Sequence, residues 1–344
     1  MNQSQYKLKE DNMEKLEETV KIKVIGVGGA GVNTVNRMIR NGLTSVELWV
    51  MNADKQILQA SDCENKLQLG KKTLKGFGTG GDISLGETAA KESEQDIKKA
   101  IEDADIVFII AGLGGGTGTG ATPVITKIAK DIGILTVVFA SIPFSFEGKK
   151  RKEQAEFGLK ELQKSADAIS VIQNDKLLNV INSQSSLAEA FSIANENISR
   201  VIQSISDEIN NPSIIHAEFK QIKELIQNAG YISTGFGQAT GKDRAAEAVK
   251  TALKNLSLAP IPNVTNAIYM IKGSSDMTLQ EINESINIIN EVTHNNTNFI
   301  VCNKIDDNLQ DEMNVAVIVI WKKNDYDKKD IKYRKCFKMQ LDFL

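Results

Sequence analysis

Histidine and cysteine are scarce in this chain of 344 residues: His216 and His294 are the only histidines, and Cys63, Cys302 and Cys336 the only cysteines. Their scatter excludes the spaced Cys/His clusters of zinc sites, and an odd number of thiols does not read as a disulfide framework. No Gly-x-Ser-x-Gly occurs, which argues against a serine-triad hydrolase. No apolar run approaches the roughly 20 residues of a membrane span. Met1–Thr19 lacks the apolar centre of a signal peptide, so a cytoplasmic protein is expected. Excess charge is missing too: the formal net charge is −3, which gives nucleic acid no support as a partner.

What remains is a soluble-protein composition, 41% hydrophobic and 25% charged, in a chain long enough for two domains. Two glycine-rich segments stand out. Gly26-Val27-Gly28-Gly29-Ala30-Gly31-Val32-Asn33 and Gly112-Leu113-Gly114-Gly115-Gly116-Thr117-Gly118-Thr119-Gly120 each follow a run that reads as a buried strand, Ile22–Val27 and Ile106–Ala111, and each precedes a helical stretch. Loops without side chains let backbone N–H groups converge on an anion, and the following helix adds its positive end. Two such loops in one sheet point to a polyphosphate gripped from both sides. A third cluster, Gly76-Phe77-Gly78-Thr79-Gly80-Gly81, reads either as a flap over the phosphates or as a surface loop.

Strand-like runs at Val46–Asn52, Leu135–Ser141 and Ala168–Gln173 extend the alternation, which predicts an α/β fold with a mainly parallel sheet covered by helices. The clearest helix starts at a capping box, Ser186 with Glu189, and repeats apolar residues at three and four from Leu187 through Phe191, Ala194, Ile198, Val201 and Ile205 to Ile209. It is expected to lie buried between two domains. The rest reads as a smaller α+β domain: helices near 222–228, 243–255 and 279–292, a glycine-rich turn at Gly230, Gly235 and Gly237, and strands at 267–273, 299–305 and 315–321. The expected organisation is a charged arm at 1–20, a nucleotide-binding domain at 21–183, the long helix at 184–211, the α+β domain at 212–321 and a basic tail at 322–344. In that tail Ile331–Phe343 alternates with a period of two, as one more strand would.

Neither glycine segment contains Gly-Lys-Ser/Thr, so this is not a Walker P-loop. Phosphate charge must be met by backbone N–H groups, threonine hydroxyls and Mg²⁺. The first segment alone also fits a dinucleotide fingerprint, with Asn52 or Asp54 at a ribose. Against that reading stand the second segment and the lack of a catalytic His or Cys constellation.

From Lys21 to Ile320 the chain resembles the bacterial FtsZ family, tubulin-like GTPases that polymerise into the division ring. Gly114–Gly120 matches the tubulin/FtsZ signature, and 26–38, 52–58, 76–86 and Pro143–Gly148 follow the family in order and spacing. The resemblance implies the tubulin/FtsZ fold, GTP and GDP as ligands, and Mg²⁺ with no protein side chain assigned as its ligand. It implies phosphate contacts from Gly28, Gly29, Ala30, Gly31, Val32 and Asn33, and from Gly115, Gly116, Thr117, Gly118 and Thr119. It places Glu147 and Arg151 at ribose and phosphates, Phe191 and Asn195 at the guanine, and Asn174 at base or ribose. It implies head-to-tail assembly with further copies, a cytoplasmic location at the division site, and hydrolysis by a loop of the next subunit.

That loop departs from the family. Asn-x-Asp-Phe-x-Asp is replaced by His216-Ala217-Glu218-Phe219-Lys220-Gln221, so Glu218 and Gln221 are the candidate catalytic residues and one carboxylate is lost. Slow turnover is the expectation, since a displacement of ~1 Å can cost about a hundredfold in rate. The alternative is a paralogue that copolymerises with a second FtsZ and hardly hydrolyses. Ala53 replaces a threonine usual in the family. The C-terminal peptide that meets membrane adaptors is not recognisable, which puts attachment by the usual adaptors in doubt.

Overall fold

The computed structural model describes residues 19–177, 186–211, 215–256, 264–293 and 297–321. Ten strands in these residues make a single sheet: β1 (Ile22–Val27), β2 (Glu47–Asn52), β3 (Asn65–Gln68), β4 (Ile106–Gly112), β5 (Leu135–Ile142), β6 (Ala168–Gln173), β7 (Gly230–Thr240), β8 (Asn266–Gly273), β9 (Asn298–Ile305) and β10 (Glu312–Trp321). Their order is β3-β2-β1-β4-β5-β6-β7-β10-β8-β9. The strands from β3 to β7 run parallel, β10 is antiparallel to both β7 and β8, and β9 lies parallel to β8.

The helices are α1 (Gly28–Arg40), α2 (Lys55–Gln59), α3 (Ile83–Glu92), α4 (Glu94–Ile101), α5 (Gly116–Asp131), α6 (Lys149–Ser165), α7 (Asn174–Leu177), α8 (Leu187–Asn210), α9 (Phe219–Ile226), α10 (Arg244–Asn255) and α11 (Leu279–Thr293). They cover both faces of the sheet, which is why β1 and β4 are apolar at almost every position. Alternation sends Ile25, Val27, Val107 and Ile109 into one core with α3 to α6, α10 and α11. It sends Val24, Ile106, Phe108 and Ile110 into the other with α1, α8 and α9.

The capping box of α8 forms as its sequence requires: the Glu189 N–H donates to Ser186 Oγ at 3.2 Å, and the Ser186 N–H donates to Glu189 Oε2 at 2.6 Å. The helix lies on one face of the continuous sheet, against α1 on one side and β7, β8 and β10 on the other. Its stripe is buried only in part. Ile198, Val201, Ile202 and Ile205 are in the core, whereas Phe191 is 37% exposed.

One expected turn is a strand. Gly230, Gly235 and Gly237 belong to β7, and the glycines there serve packing: a Cβ on Gly235 would lie 2.1 Å from the Ala252 carbonyl oxygen, and one on Gly237 2.0 Å from that of Ala248. Helix α10 therefore sits directly on the strand backbone. The charged arm, apart from its last residues, and the alternating tail at 331–343 lie outside the described residues. Among the described residues no helix is long and apolar enough to cross a membrane.

Candidate functional site

The strand order reverses between β1 and β4. Helix α1, which follows β1, covers one face, and α5, which follows β4, covers the other. The carboxyl ends of the strands at such a reversal leave a crevice, the usual ligand position in a doubly wound sheet.

Glycine chemistry draws the two helix starts together. Gly28 has φ +71°, and a Cβ on it would lie 2.9 Å from the Gly118 backbone nitrogen. Gly26 and Gly31 let α1 approach β1 and β4: a Cβ on Gly31 would lie 2.4 Å from the Ile110 carbonyl oxygen. The second glycine segment is not a loop beyond Gly115. Gly116–Gly120 form the first turns of α5, and their missing side chains admit α3, since a Cβ on Gly120 would lie 2.1 Å from the Ile83 carbonyl oxygen. Neither α1 nor α5 carries an acidic residue in its first turn, so both positive ends face the crevice uncompensated.

Two cavities of about 510 and 530 Å³ meet there, sharing Ala30, Gly112, Ser141, Asn174 and Phe191. The second is glycine-rich, and Gly29, Gly115, Gly116, Thr117 and Gly118 line it together with Glu147, Arg151 and Asp54. The third glycine cluster contributes Phe77, Gly78, Thr79, Gly80 and Gly81 to the same wall. Gly76, Gly78, Gly80 and Gly81 all have positive φ, and Thr79 Oγ1 lies 3.5 Å from Thr117 Oγ1. The first cavity is more apolar, and Ile110, Phe139, Ile172, Phe191 and Ile198 line it with Asn33, Thr34, Arg37 and Asn195.

Two buried donors in these walls have no partner: Asn52 Nδ2 beside the glycine-rich cavity and Arg37 Nε beside the apolar one. An unpaired buried donor is costly, so each fits an acceptor supplied by a ligand. Asn195 is held in place, its Oδ1 accepting from the Thr34 hydroxyl at 3.0 Å. The Phe191 ring meets Phe144 edge-on at 5.6 Å. Asn174 is buried at the end of β6. Glu147 ends a single 3₁₀ turn, accepts from the Phe144 N–H at 2.9 Å and pairs with Arg151 Nη1 at 2.5 Å.

Four of the expected ligand residues stand behind the cavities and do not line them. Val32 is 1% exposed in the core, and Thr119 Oγ1 accepts from the Gly114 N–H at 2.8 Å. Gly28 and Gly31 shape the backbone, as above. Conversely, Thr34, Arg37 and Ser141 line the walls although the sequence reading assigned them no role.

The loop bearing Glu218 lies elsewhere. His216 Nδ1 is 3.2 Å from Glu208 Oε1, in the last turns of α8, while Asn195 borders the cavity thirteen residues earlier. At 1.5 Å per residue that separates loop and cavity by about 20 Å along the axis. Glu218 caps α9 with an exposed side chain, and its N–H donates to Gln221 Oε1 at 3.0 Å. The Gln221 carbonyl group is thereby committed to the helix start. Among the described residues no group of three or more His, Cys, Asp or Glu side chains could hold a metal ion by itself.

Comparison with known proteins agrees with this geometry. Residues 21–182 match the Tubulin/FtsZ family GTPase domain, and residues 230–321 match the FtsZ family C-terminal domain. An empty FtsZ dimer from M. jannaschii is 35% identical with a TM-score of 0.81, the match covering 93% of this chain and 92% of that one. The GTPγS-bound protofilament of CetZ2 from Haloferax volcanii shares the fold, with a TM-score of 0.76 over 94% of this chain and 99% of that one at 19% identity. Both are archaeal, so the comparisons support the wider family and not its bacterial branch in particular.

Proposed function

The chain belongs to the Tubulin/FtsZ family of GTPases, and on that premise we propose that it binds GTP across the two cavities and assembles head to tail into filaments. The observation that carries this reading is the meeting of two uncompensated helix starts, at Gly28 and Gly118, in one glycine-lined wall. The triphosphate lies against Gly29, Ala30 and Gly115–Gly118, where Asn52 Nδ2 finds its acceptor. The base lies in the apolar cavity between Phe191 and Asn195, within reach of Arg37.

The protein side of the glycine-rich wall fits Mg²⁺ held mainly by phosphate oxygens, the usual arrangement for this ion. Asp54, Thr79 and Thr117 are among the oxygen-bearing side chains of that wall, and the ion would neutralise charge on the β- and γ-phosphates. Ala53, between the wall residues Asn52 and Asp54, is fully buried and offers the cavity no hydroxyl.

The separation between loop and cavity supports a role for Glu218 at the nucleotide of a second copy. Its carboxylate accepts a hydrogen bond from a water in line with the γ-phosphate. The water oxygen bonds to phosphorus as the bond to the β-bridging oxygen breaks, giving GDP and phosphate. Gln221, tied to the start of α9, does not supply the carboxylate that this loop lacks, and turnover is slow.

The same hydrogen bond favours a second reading, a GTP-bound structural copolymer with little hydrolysis. The proposed place of action is the cytoplasm at the division site, with a membrane attachment other than the usual C-terminal peptide. Thermal unfolding tests the nucleotide: GTP raises the melting temperature and NAD does not, because only a ligand of the native state stabilises it. Equal stabilisation by NAD would refute the reading.

A further inference from the structure

Glu208 is a carboxylate in an unfavourable place. It is 3% exposed, and it lies in the last turns of α8, where the helix dipole opposes negative charge. Burying a carboxylate is costly unless its oxygens are hydrogen-bonded. Its bonds go to segments remote from its own helix. Oε1 accepts from the Ala217 N–H at 3.2 Å and lies 3.2 Å from His216 Nδ1. Behind it, the thiol of Cys302, on β9 and fully buried, bonds to the same carboxylate; burial first, and then Glu208, push that thiol far above its ordinary range. On its other side the segment is held by β9, where the Asn303 N–H donates to the Ile215 carbonyl oxygen at 2.9 Å.

These contacts converge on residues 215–217, directly ahead of Glu218. The C-terminal half of α8 is itself fixed by Val201, Ile202 and Ile205 in the core. We propose that Glu208 is a positioning residue for hydrolysis: its carboxylate ties His216 and Ala217 to the rigid helix and so sets where Glu218 is presented to the neighbouring subunit. The proposal rests on the reading above that Glu218 acts on a second copy's nucleotide. Glu208 touches neither nucleotide nor water and works only through the loop.

The test compares Glu208→Leu and Glu208→Gln in the full chain. Three quantities are read: affinity for a fluorescent GTP analogue, phosphate release per pelleted subunit, and amide exchange at Ala217. In the Leu variant phosphate release falls about tenfold or more, by analogy with small misplacements of catalytic groups. Exchange at Ala217 accelerates, while nucleotide affinity is unchanged because the cavity is remote. The Gln variant keeps an acceptor oxygen and stays within about threefold of the wild type. If the Leu variant does not fold, His216→Leu removes one of the two loop contacts and is read in the same way. Wild-type phosphate release per pelleted subunit together with unchanged Ala217 exchange would overturn the proposal. A wild-type protein that binds GTP, assembles and releases no phosphate would instead refute the hydrolysis reading, and Ala217 exchange would still report on the anchor.

Discussion

Gly28 and Gly118 touch backbone to backbone where α1 and α5 begin, so that a single methyl group on Gly28 would come within 2.9 Å of the Gly118 nitrogen. The contact brings two helix starts together in one wall. It also separates two kinds of glycine, those that shape the wall and those that leave room for a ligand.

Gly28→Ala is therefore expected to destabilise the fold as well as to lose GTP, since it combines a positive φ with a backbone clash. Gly115→Asp should behave differently. Nothing lies within 4 Å of a Cβ there, and the position is the N-cap of α5, which aspartate favours. The variant should melt at or above the wild-type temperature and yet bind no GTP, because its carboxylate takes the place of the phosphate. Thermal unfolding with and without GTP checks both.

Phe191→Ala should weaken GTP binding by about 1–3 kcal/mol, the usual worth of a base–aromatic stack. Stability without nucleotide should change little, because the ring is 37% exposed. Calorimetric titration with GTP measures the first and unfolding in its absence the second. An unchanged affinity would place the base elsewhere.

Gln221→Asp should speed phosphate release by about tenfold, restoring a carboxylate to the loop and freeing the Glu218 N–H from its side-chain partner. Gln221→Glu keeps the reach needed for the cap and should gain less. If neither variant changes phosphate release, this position does not limit turnover.

Acid should loosen the far end of the sheet. The Arg244 guanidinium is buried and donates to Glu281 at 2.7 Å, Asp276 at 3.1 Å and Asp311 at 3.2 Å. Glu281 is held below its ordinary range chiefly by Arg244, and Asp276 by Ser274 and then Arg244. A carboxylate with a lowered folded pKa stabilises the protein above its unfolded value, and that contribution disappears as pH falls through the folded one. Arg244→Met should thus lower the melting temperature at pH 7, with the gap to the wild type narrowing below about pH 4. A gap independent of pH would contradict this assignment.

Much of the fold was legible because burial on both faces writes itself as apolar runs. Ile22–Val27 and Ala168–Gln173 are strands with the expected ends, and Ser186 with Glu189 marked the start of α8. Glycine misled in two places for one physical reason. At Gly235 and Gly237, and again at Gly116–Gly120, the absent side chain admits a neighbouring helix, a contact that local sequence does not encode. Phe191, Asn195 and Asn174 could be named only through the family resemblance, and the structure gathers them at one wall. Asn52 was legible only as a ribose contact of the dinucleotide reading, and Arg37 and Glu208 acquire meaning only from an unpaired atom or from partners distant along the chain.

If the Glu218 loop of one copy acts on the GTP of another, a copy without a loop and a copy without a site should complement each other. Mixing two variants tests it most directly: Gly115→Asp, which keeps the loop but blocks the anion site, and Glu218→Ala, which keeps the site but lacks the carboxylate. Phosphate release is followed for each alone and for the mixture. Little release is expected from either variant alone and clear release from the mixture, where an intact loop meets an intact site. A mixture no faster than the sum of its parts, beside an active wild type, would contradict it.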